Sequence, residues 1–300
     1  DMDIDKSSGI ILHPTALPSK YGIGDFGNTS KKFIDFLHDT STSIWQVLPL
    51  GLTSTDEFSP YSSPSSILGN RYLIDVDKFS YDYESNIKSQ TFSKKFVEYD
   101  NVYRFKDEIF KNIAQHINLE DQIYSNFLED DLIRKHITFL ILRDVNRKSW
   151  NLWDNEFQNY NDNLFEKLIN ENKNLVNFHV LTQYEFFNQW KSLKQYANKK
   201  NVKILGDIPI YVNHDSADVW LNQDMFEIDE NYEMEYISGA VPDSFNLEGQ
   251  IWGNTLYKWD AHKDDDFKYW KDKLNRSLDL YDYLRIDPVS YTHLRAHETS

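Results

Sequence analysis

The stretch Tyr281-Asp-Tyr-Leu-Arg-Ile-Asp287 reads as a short β-strand that carries two opposite charges, Arg285 and Asp287, at its C-terminal end. Residues at positions i and i+2 of a strand point to the same face, so the guanidinium group of Arg285 is expected beside the carboxylate of Asp287, which it would keep ionised at neutral pH. An ionised, oriented carboxylate is the group with which a retaining glycosidase attacks an anomeric carbon. On its own the spacing favours an ordinary ion pair at a strand end. Whether Asp287 is a nucleophile therefore has to be judged from the rest of the chain.

Three further apolar segments each run into a polar loop, as buried strands of a β/α fold do. They are Gly9–Leu12, Ser43–Leu48 and Val202–Leu205, which lead to His13, Pro49 and Asp207. With the helical patterns between them, these segments predict an α/β fold in which four parallel strands lie in the order 1-2-3-4 with their C-terminal ends on one rim. Because a (β/α)₈ (TIM) barrel needs eight such units, the chain is predicted to form the N-terminal half of one, with helical insertions.

The predicted units divide the chain into four parts. Residues 1–81 hold strands 1 and 2, and residues 82–174, which are charged and weakly patterned, form a helical insertion. Residues 175–287 hold strands 3 and 4 with a long active-site loop over residues 209–262, since a loop of that length in a compact domain usually has a function. Residues 288–300 do not continue a β/α unit and read as a non-native tail at the end of a fragment.

Composition limits the kinds of partner. The 300 residues include 48 acidic and 32 basic side chains, and the formal charge of −16 opposes binding to nucleic acid, anionic membranes and phosphorylated substrates. There is no cysteine for disulfides or thiolate sites, no apolar run that approaches a membrane span and no signal-peptide pattern. We therefore predict a cytoplasmic protein with a neutral ligand, and some of its many aromatic rings are candidates for stacking on sugars.

Two patterns that point to a cofactor or a metal are rejected. Gly22-Ile-Gly-Asp-Phe-Gly27 fits the dinucleotide-binding fingerprint, but roughly ten residues separate it from the preceding strand, whereas the fingerprint follows its strand directly. Lys263-Asp-Asp-Asp266 is better explained as a helix N-terminus, where acidic side chains meet the positive end of the helix dipole. We therefore predict neither a metal nor an organic cofactor.

Several motifs, taken together, resemble the amylomaltase family of 4-α-glucanotransferases, also called disproportionating enzymes. They are Ile11-Leu-His-Pro-Thr-Ala-Leu-Pro18, Tyr21-Gly-Ile-Gly-Asp25, Trp45-Gln-Val-Leu-Pro-Leu50, Ser59-Pro-Tyr61, Gly206-Asp-Ile-Pro-Ile-Tyr-Val212, Asp215-Ser-Ala-Asp-Val-Trp220, Gly249-Gln-Ile-Trp-Gly-Asn254, Leu256-Tyr257 and Leu284-Arg-Ile-Asp287. Their order and spacing agree with the family from Ser8 to Asp287. The resemblance implies an α-amylase-like barrel and α-1,4-glucans (maltodextrins, starch or glycogen fragments) as substrates.

The resemblance also implies roles for individual residues. Asp287 would be the nucleophile, and Arg285 would orient it. Substrate contacts are implied for Ser59, Tyr61, Asp207, Asp243, Phe245, Gln250, Trp252 and Asn254. Among these, Tyr61 and Trp252 would stack on sugar rings. Ser244 stands where the family has an aromatic residue, so one contact on the acceptor side is expected to be missing.

Retaining chemistry also needs a second carboxyl group to protonate the leaving oxygen. In the family that the chain resembles, this acid lies on the fifth strand and a third acid on the seventh, and neither strand is predicted here. This chain alone is therefore expected to be inactive and, with unpaired strand edges, prone to association. Two other functions stay open: an α-glucan hydrolase, which would release glucose from maltotriose without longer products, and a non-catalytic maltodextrin-binding protein, which would bind maltoheptaose without turnover. The oligomeric state is not indicated.

Overall fold

The computed structural model describes residues 6–53, 58–79, 90–240, 250–287 and 294–295. The strands are β1 (Gly9–Ile11), β2 (Ile44–Gln46), β3 (Lys203–Pro209), β4 (Val212–Asn213), β5 (Tyr236–Ala240), β6 (Gln250–Thr255), β7 (Tyr283–Asp287) and β8 (Leu294–Arg295). The helices are α1 (Asn28–Asp39), α2 (Tyr99–Ala114), α3 (Gln122–Leu128), α4 (Asp131–Asn146), α5 (Leu164–Lys199), α6 (Ala217–Leu221), α7 (Trp259–Asp264) and α8 (Lys268–Leu280). Short 3₁₀ helices occupy Pro14–Ala16, Arg71–Leu73, Trp150–Leu152 and Gln223–Met225.

Four parallel strands form the sheet that positions the predicted site. They lie in the order β1-β2-β3-β7, and each neighbouring pair is parallel. Trp45 of β2 pairs with Ile10 on one side and Ile204 on the other, which fixes the register in the middle of the sheet. The predicted strand order and the shared C-terminal rim are confirmed.

A second, antiparallel sheet lies where the sequence predicted one long loop. Its strand order is β4-β6-β5-β8, and β4, β5 and β6 all fall within residues 209–262, together with α6 and the beginning of α7. The interpretation of residues 209–262 as a loop is therefore wrong. The strands have two to six residues, too few for an alternating pattern to stand out from turn sequence. The edge strand beside β5 is β8, which comes from the predicted tail and pairs with Tyr236 and Ile237 of β5.

The predicted insertion is helical. It contains α2, α3, α4 and the beginning of α5, and α5 packs against α2 and α4. The 36 residues of α5 are interrupted at Asn172, whose backbone (φ −136°, ψ 38°) is not helical. The boundary predicted after residue 174 thus falls just past this kink, inside α5. None of the described helices combines the length and the apolar composition needed to cross a bilayer.

A buried lysine attaches the insertion to the loops of the parallel sheet. Lys106 of α2 is completely buried, and its Nζ donates to the carbonyl oxygens of Tyr72 (2.7 Å) and Ile74 (2.8 Å). The nearest carboxylate is that of Asp25, with 3.9 Å between Nζ and Oδ2. Because desolvation of an ammonium group is costly, these contacts are what allow the charged group to be buried here.

The core below the rim is aromatic, and the indole N–H groups of its buried Trp45 and Trp190 are hydrogen-bonded. Trp45 donates to the carbonyl of Leu12 (2.7 Å) and Trp190 to that of Leu280 (2.9 Å), so neither buried donor is left unpaired. Gly206 of β3 lies against the ring of Tyr281, and a Cβ there would come within 2.3 Å of the ring. Glycine is therefore needed at this position for the start of the β7 segment to lie close to β3.

Candidate active site

Asp207 is the centre of a hydrogen-bonded cluster at the C-terminal rim of the parallel sheet. Its carboxylate is almost fully buried, with 3% of the residue exposed. Oδ1 accepts from Nη1 of Arg285 at 2.6 Å, and Oδ2 accepts from the hydroxyl of Tyr61 at 2.8 Å. Nη1 of Arg285 also reaches Oδ2 of Asp287 at 3.3 Å. The structure thus brings together four of the residues implicated by the sequence.

The main partner of Arg285 is Asp207, and the sequence did not predict this pairing. The parallel register places Arg285 directly beside Asp207, whereas Asp287 lies opposite Pro209. The predicted proximity of Arg285 to Asp287 is present, but as the longer of the two contacts. The hydrogen bond with Asp207 raises the pKa of Arg285 above its usual value, so the guanidinium group stays charged. That Arg285 keeps Asp287 ionised stays a prediction.

Tyr61 reaches the cluster from the loop that follows β2. Partial burial and then the hydrogen bond to Asp207 raise the pKa of Tyr61 to about 12, so its hydroxyl stays protonated and donates at neutral pH. The backbone N–H of Tyr61 donates to Oγ of Ser59 at 3.2 Å, which holds the turn. The residue is 39% exposed, and its ring is therefore accessible while its hydroxyl is fixed.

Asp218, to which the sequence assigned no role, anchors the loop after β2 that carries Tyr61. Its Oδ2 accepts from the backbone N–H of Ser66 at 2.8 Å, and its Oδ1 accepts from the hydroxyls of Ser66 and Tyr269. Asp218 is 1% exposed, so it is a fixed point in the core. A carboxylate in the first turn of α6 is a common helix feature, and nothing local distinguishes this one from an ordinary helix start.

Lys273 is a second residue that the sequence did not single out. It is 3% exposed, and its Nζ donates at 3.1 Å to the carbonyl of Pro209, the residue paired with Asp287 at the end of β3. Burial lowers the pKa of Lys273 to about 8, and the charge of Asp218 opposes that shift. Lys273, Tyr61 and Asp207 line a cavity of about 60 Å³ below the cluster.

The buried amine should make stability depend on pH. Since the pKa of Lys273 falls from 10.5 to about 8 on folding, the unfolded chain binds more protons between these values, and stability rises with pH in this window. We expect an increase of up to about 1.4 kcal/mol per pH unit from pH 8 to 10, measured by urea unfolding. In Lys273→Met this rise should be absent, while the other titrating groups affect both proteins equally. Parallel stability curves for the two proteins would contradict the assignment.

The structure describes only some of the other residues that were predicted to contact substrate. Asn254 lies in β6, paired with Asn213 of β4, and its backbone N–H donates to Oγ of Ser238 at 3.3 Å. Gln250 and Trp252 belong to β6 by their backbone, and their side chains are outside the described part of the structure. Asp243 and Phe245 lie outside the described residues altogether. Within the described residues, no group of three or more His, Cys, Asp or Glu is arranged to hold a metal ion.

Comparison with known proteins decides the family. A family model described as 4-alpha-glucanotransferase matches residues 12–291. The chain belongs to the 4-alpha-glucanotransferase family. Relatives of this family include the 4-alpha-glucanotransferases of Clostridium butyricum, 40% identical over 299 residues, and Aquifex aeolicus, 36% identical over 302 residues. These alignments cover 96% and 97% of this chain and 60% of each relative, so the chain spans about three fifths of their length.

Solved structures of family members show the same fold. Amylomaltase from Streptococcus agalactiae, solved in complex with acarbose, is 32% identical, with a TM-score of 0.86 over 97% of this chain and 62% of that one. Amylomaltase from Corynebacterium glutamicum, 16% identical, matches in fold with a TM-score of 0.74 over 96% of this chain and 44% of that one. The predicted fold class, part of a (β/α)₈ barrel of the 4-alpha-glucanotransferase family, is confirmed.

Proposed function

We propose that this chain provides the nucleophile side of a 4-alpha-glucanotransferase that moves α-1,4-glucan segments between maltodextrins by a retaining double displacement. The observation that carries the proposal is the cluster at the rim, where Arg285 lies between the buried carboxylate of Asp207 and the more accessible carboxylate of Asp287. Family membership supports this chemistry, and the Streptococcus agalactiae relative in complex with acarbose supports a carbohydrate ligand.

In the first step, a carboxylate oxygen of Asp287 forms a bond to the anomeric carbon while the bond to the leaving glucan oxygen breaks, and that oxygen takes up the proton of a general acid from outside the described residues. Arg285 orients Asp287 and is itself held by Asp207. The exposed ring of Tyr61 is the surface on which the sugar stacks. In the second step, the 4-hydroxyl of an acceptor glucan attacks the same carbon, gives its proton to the group that acted as the acid and releases Asp287, so the configuration is retained.

Asp207 does not fit the role of the general acid. Both of its oxygens accept hydrogen bonds, from Arg285 and from Tyr61, and the side chain is 1% exposed. A general acid must reach the leaving oxygen directly or through one water, and Asp207 is not free to do so. We therefore assign no general acid among the described residues, and Asp207 acts by positioning Arg285.

The substrate-contact roles of Ser59, Asn254, Gln250 and Trp252, and those of Asp243 and Phe245, are part of this proposal. The proposal also includes a cytoplasmic location and no nucleic-acid or membrane partner. These stay predictions from the sequence. The acidic chain favours a neutral glucan at the rim over an anionic polymer.

A chimera tests the proposal, with the part of the Clostridium butyricum relative that follows its counterpart of Asp287 placed after Asp287. Incubated with maltotriose, it should produce glucose together with maltodextrins longer than the substrate. Glucose without longer products would identify a hydrolase, and maltoheptaose binding without any product would identify a binding protein. The 300-residue chain run beside it should give no product, because proton donation by a general acid contributes about 10²- to 10⁴-fold.

A further inference from the structure

A pocket between the C-terminal end of α4, α5 and the loop after β2 is positively charged, in contrast to the rest of the chain. Its volume is about 730 Å³. Five cationic and three anionic side chains line it, a net charge of +2 with His179 neutral, in a chain of formal charge −16. The cations are Arg71, Lys111, Arg143, Arg147 and Lys148, and the anions are Asp107, Asp144 and Asp215. The pocket is separate from the rim cavity, whose lining includes none of these residues.

All three carboxylates of the pocket already have partners. Asp107 accepts two hydrogen bonds from Arg71 (2.8 and 3.1 Å), Asp144 bonds to His179 (2.8 Å), and Asp215 accepts from Arg143 (2.8 Å). The other three cations, Lys111, Arg147 and Lys148, have no carboxylate partner among the described residues. The excess positive charge of the pocket is therefore carried by side chains that are free to bind an anion.

Two of the cations converge on one aromatic ring. Cζ of Arg71 lies 5.4 Å and Nζ of Lys111 lies 6.0 Å from the ring centroid of Phe178, which lines the pocket. Leu140 and Leu175 extend the apolar part of the lining, so the pocket combines a cationic group with an apolar surface.

Arg147 adopts an unusual backbone conformation for its residue type. It caps the C-terminus of α4 in the left-handed region (φ 54°, ψ 31°), where glycine or asparagine is usual. The helix dipole favours a cation near a helix C-terminus. A cation in the last turn would gain the same stabilisation without an unfavourable backbone conformation. The conformation places two consecutive cationic residues, Arg147 and Lys148, at the pocket.

We propose that this pocket binds a small phosphomonoester such as a sugar phosphate, with Lys111, Arg147 and Lys148 contacting the phosphate and Phe178 contacting the attached group. A phosphate monoester carries close to two negative charges at neutral pH, which matches the net charge of the lining. The volume is in the range of small-molecule sites. This ligand differs from the neutral glucan expected at the rim, and the proposal does not depend on the function proposed there.

Calorimetric titration of the 300-residue chain with glucose 6-phosphate, inorganic phosphate and glucose tests the proposal. We expect glucose 6-phosphate to bind with a dissociation constant below about 1 mM, inorganic phosphate to bind more weakly and glucose not to bind here. In Arg147→Gly/Lys148→Ala, the affinity should fall about tenfold or more, because two of the three cations that contact the phosphate are removed. Glycine suits the left-handed backbone at 147, so the fold is not harmed by this change.

The matched control is Lys94→Ala/Lys95→Ala, which removes two exposed cations elsewhere on the surface. Equal weakening in both double variants would show that only the overall charge matters, and it would overturn the proposal. Binding of glucose as strong as that of its phosphate, or no binding of the phosphate at millimolar concentration, would do the same. Making each variant in the chimera as well keeps the test decisive if the 300-residue chain associates.

Discussion

Asp287→Asn in the chimera should reduce glucan transfer by about 10⁴-fold or more while maltoheptaose still binds. The amide keeps the shape of the side chain and the contact with Arg285, but it has no anionic oxygen with which to form the covalent intermediate. The loss should therefore appear in kcat and not in KM. Disproportionation of maltotriose, followed by the release of glucose and of longer maltodextrins, measures it.

Asp279→Asn is the matched control for this prediction. Asp279 lies in α8 with its side chain 75% exposed, and its contact with Arg276 is long, at 3.9 Å. The same change of charge there should leave transfer unaltered. If Asp287→Asn retained turnover within about tenfold of the parent, the nucleophile would have to be another residue, since losing a covalent catalyst costs far more.

Lys106→Met should destabilise the chain by about 3 to 5 kcal/mol, the usual cost of removing one partner from a buried charged network. The methionine fills a similar volume but leaves the carbonyls of Tyr72 and Ile74 without their donor and Asp25 without its nearest cation. Burial already raises the pKa of Asp25, so its charge is costly without compensation. Urea unfolding at neutral pH measures the loss.

Arg104→Met separates this effect from a general weakening of α2. Arg104 is on the exposed side of the same helix, where it donates to Asp100 and Asn101 of that helix. A change there should stay within about 0.5 kcal/mol, as for most surface substitutions. Similar losses in both variants would mean that Lys106 does not attach the insertion to the sheet in the way its contacts indicate.

The parallel sheet could be predicted because its strands have a strong local signal. Three of them are short apolar runs that lead into a polar loop, and parallel strands in consecutive order follow from the helices between them. The second sheet had no such signal, since β4 has two residues and β8 has two. Its strands are defined by their pairing partners, such as Val212 with Thr255, and sequence periodicity does not contain that information.

Helix α8 shows how apolar periodicity can select the wrong face. The sequence places the apolar residues Phe267, Trp270, Leu274 and Leu278 on one face, yet Leu278 is 51% exposed and Phe267 40%. The buried face holds Tyr269, Lys273 and Ser277 instead. Lys273 and Ser277 are tolerated there because both are hydrogen-bonded. The amine of Lys273 donates to the carbonyl of Pro209, and the hydroxyl of Ser277 donates to the carbonyl of Lys273.

The four residues of the rim cluster could be named from the sequence, but their arrangement could not be predicted. The two-residue spacing indicated that Arg285 and Asp287 share a face, as they do. The stronger contact of Arg285 depends on the register between β3 and β7, and Tyr61 reaches Asp207 across 146 positions of sequence. Neither contact follows from local pattern, since both are set by how the sheet and the loop after β2 pack together.

The order β1-β2-β3-β7 also has a consequence for synthesis on the ribosome. Each strand pairs with one that has already been translated, so the sheet can grow from the nascent chain one strand at a time. About 150 residues separate β2 from β3, and at 5 to 20 residues per second their translation takes roughly ten to thirty seconds. During that interval the edge of β2 that will receive β3 stays open, so the length of the whole segment between β2 and β3 sets how long the nascent chain needs protection by a chaperone.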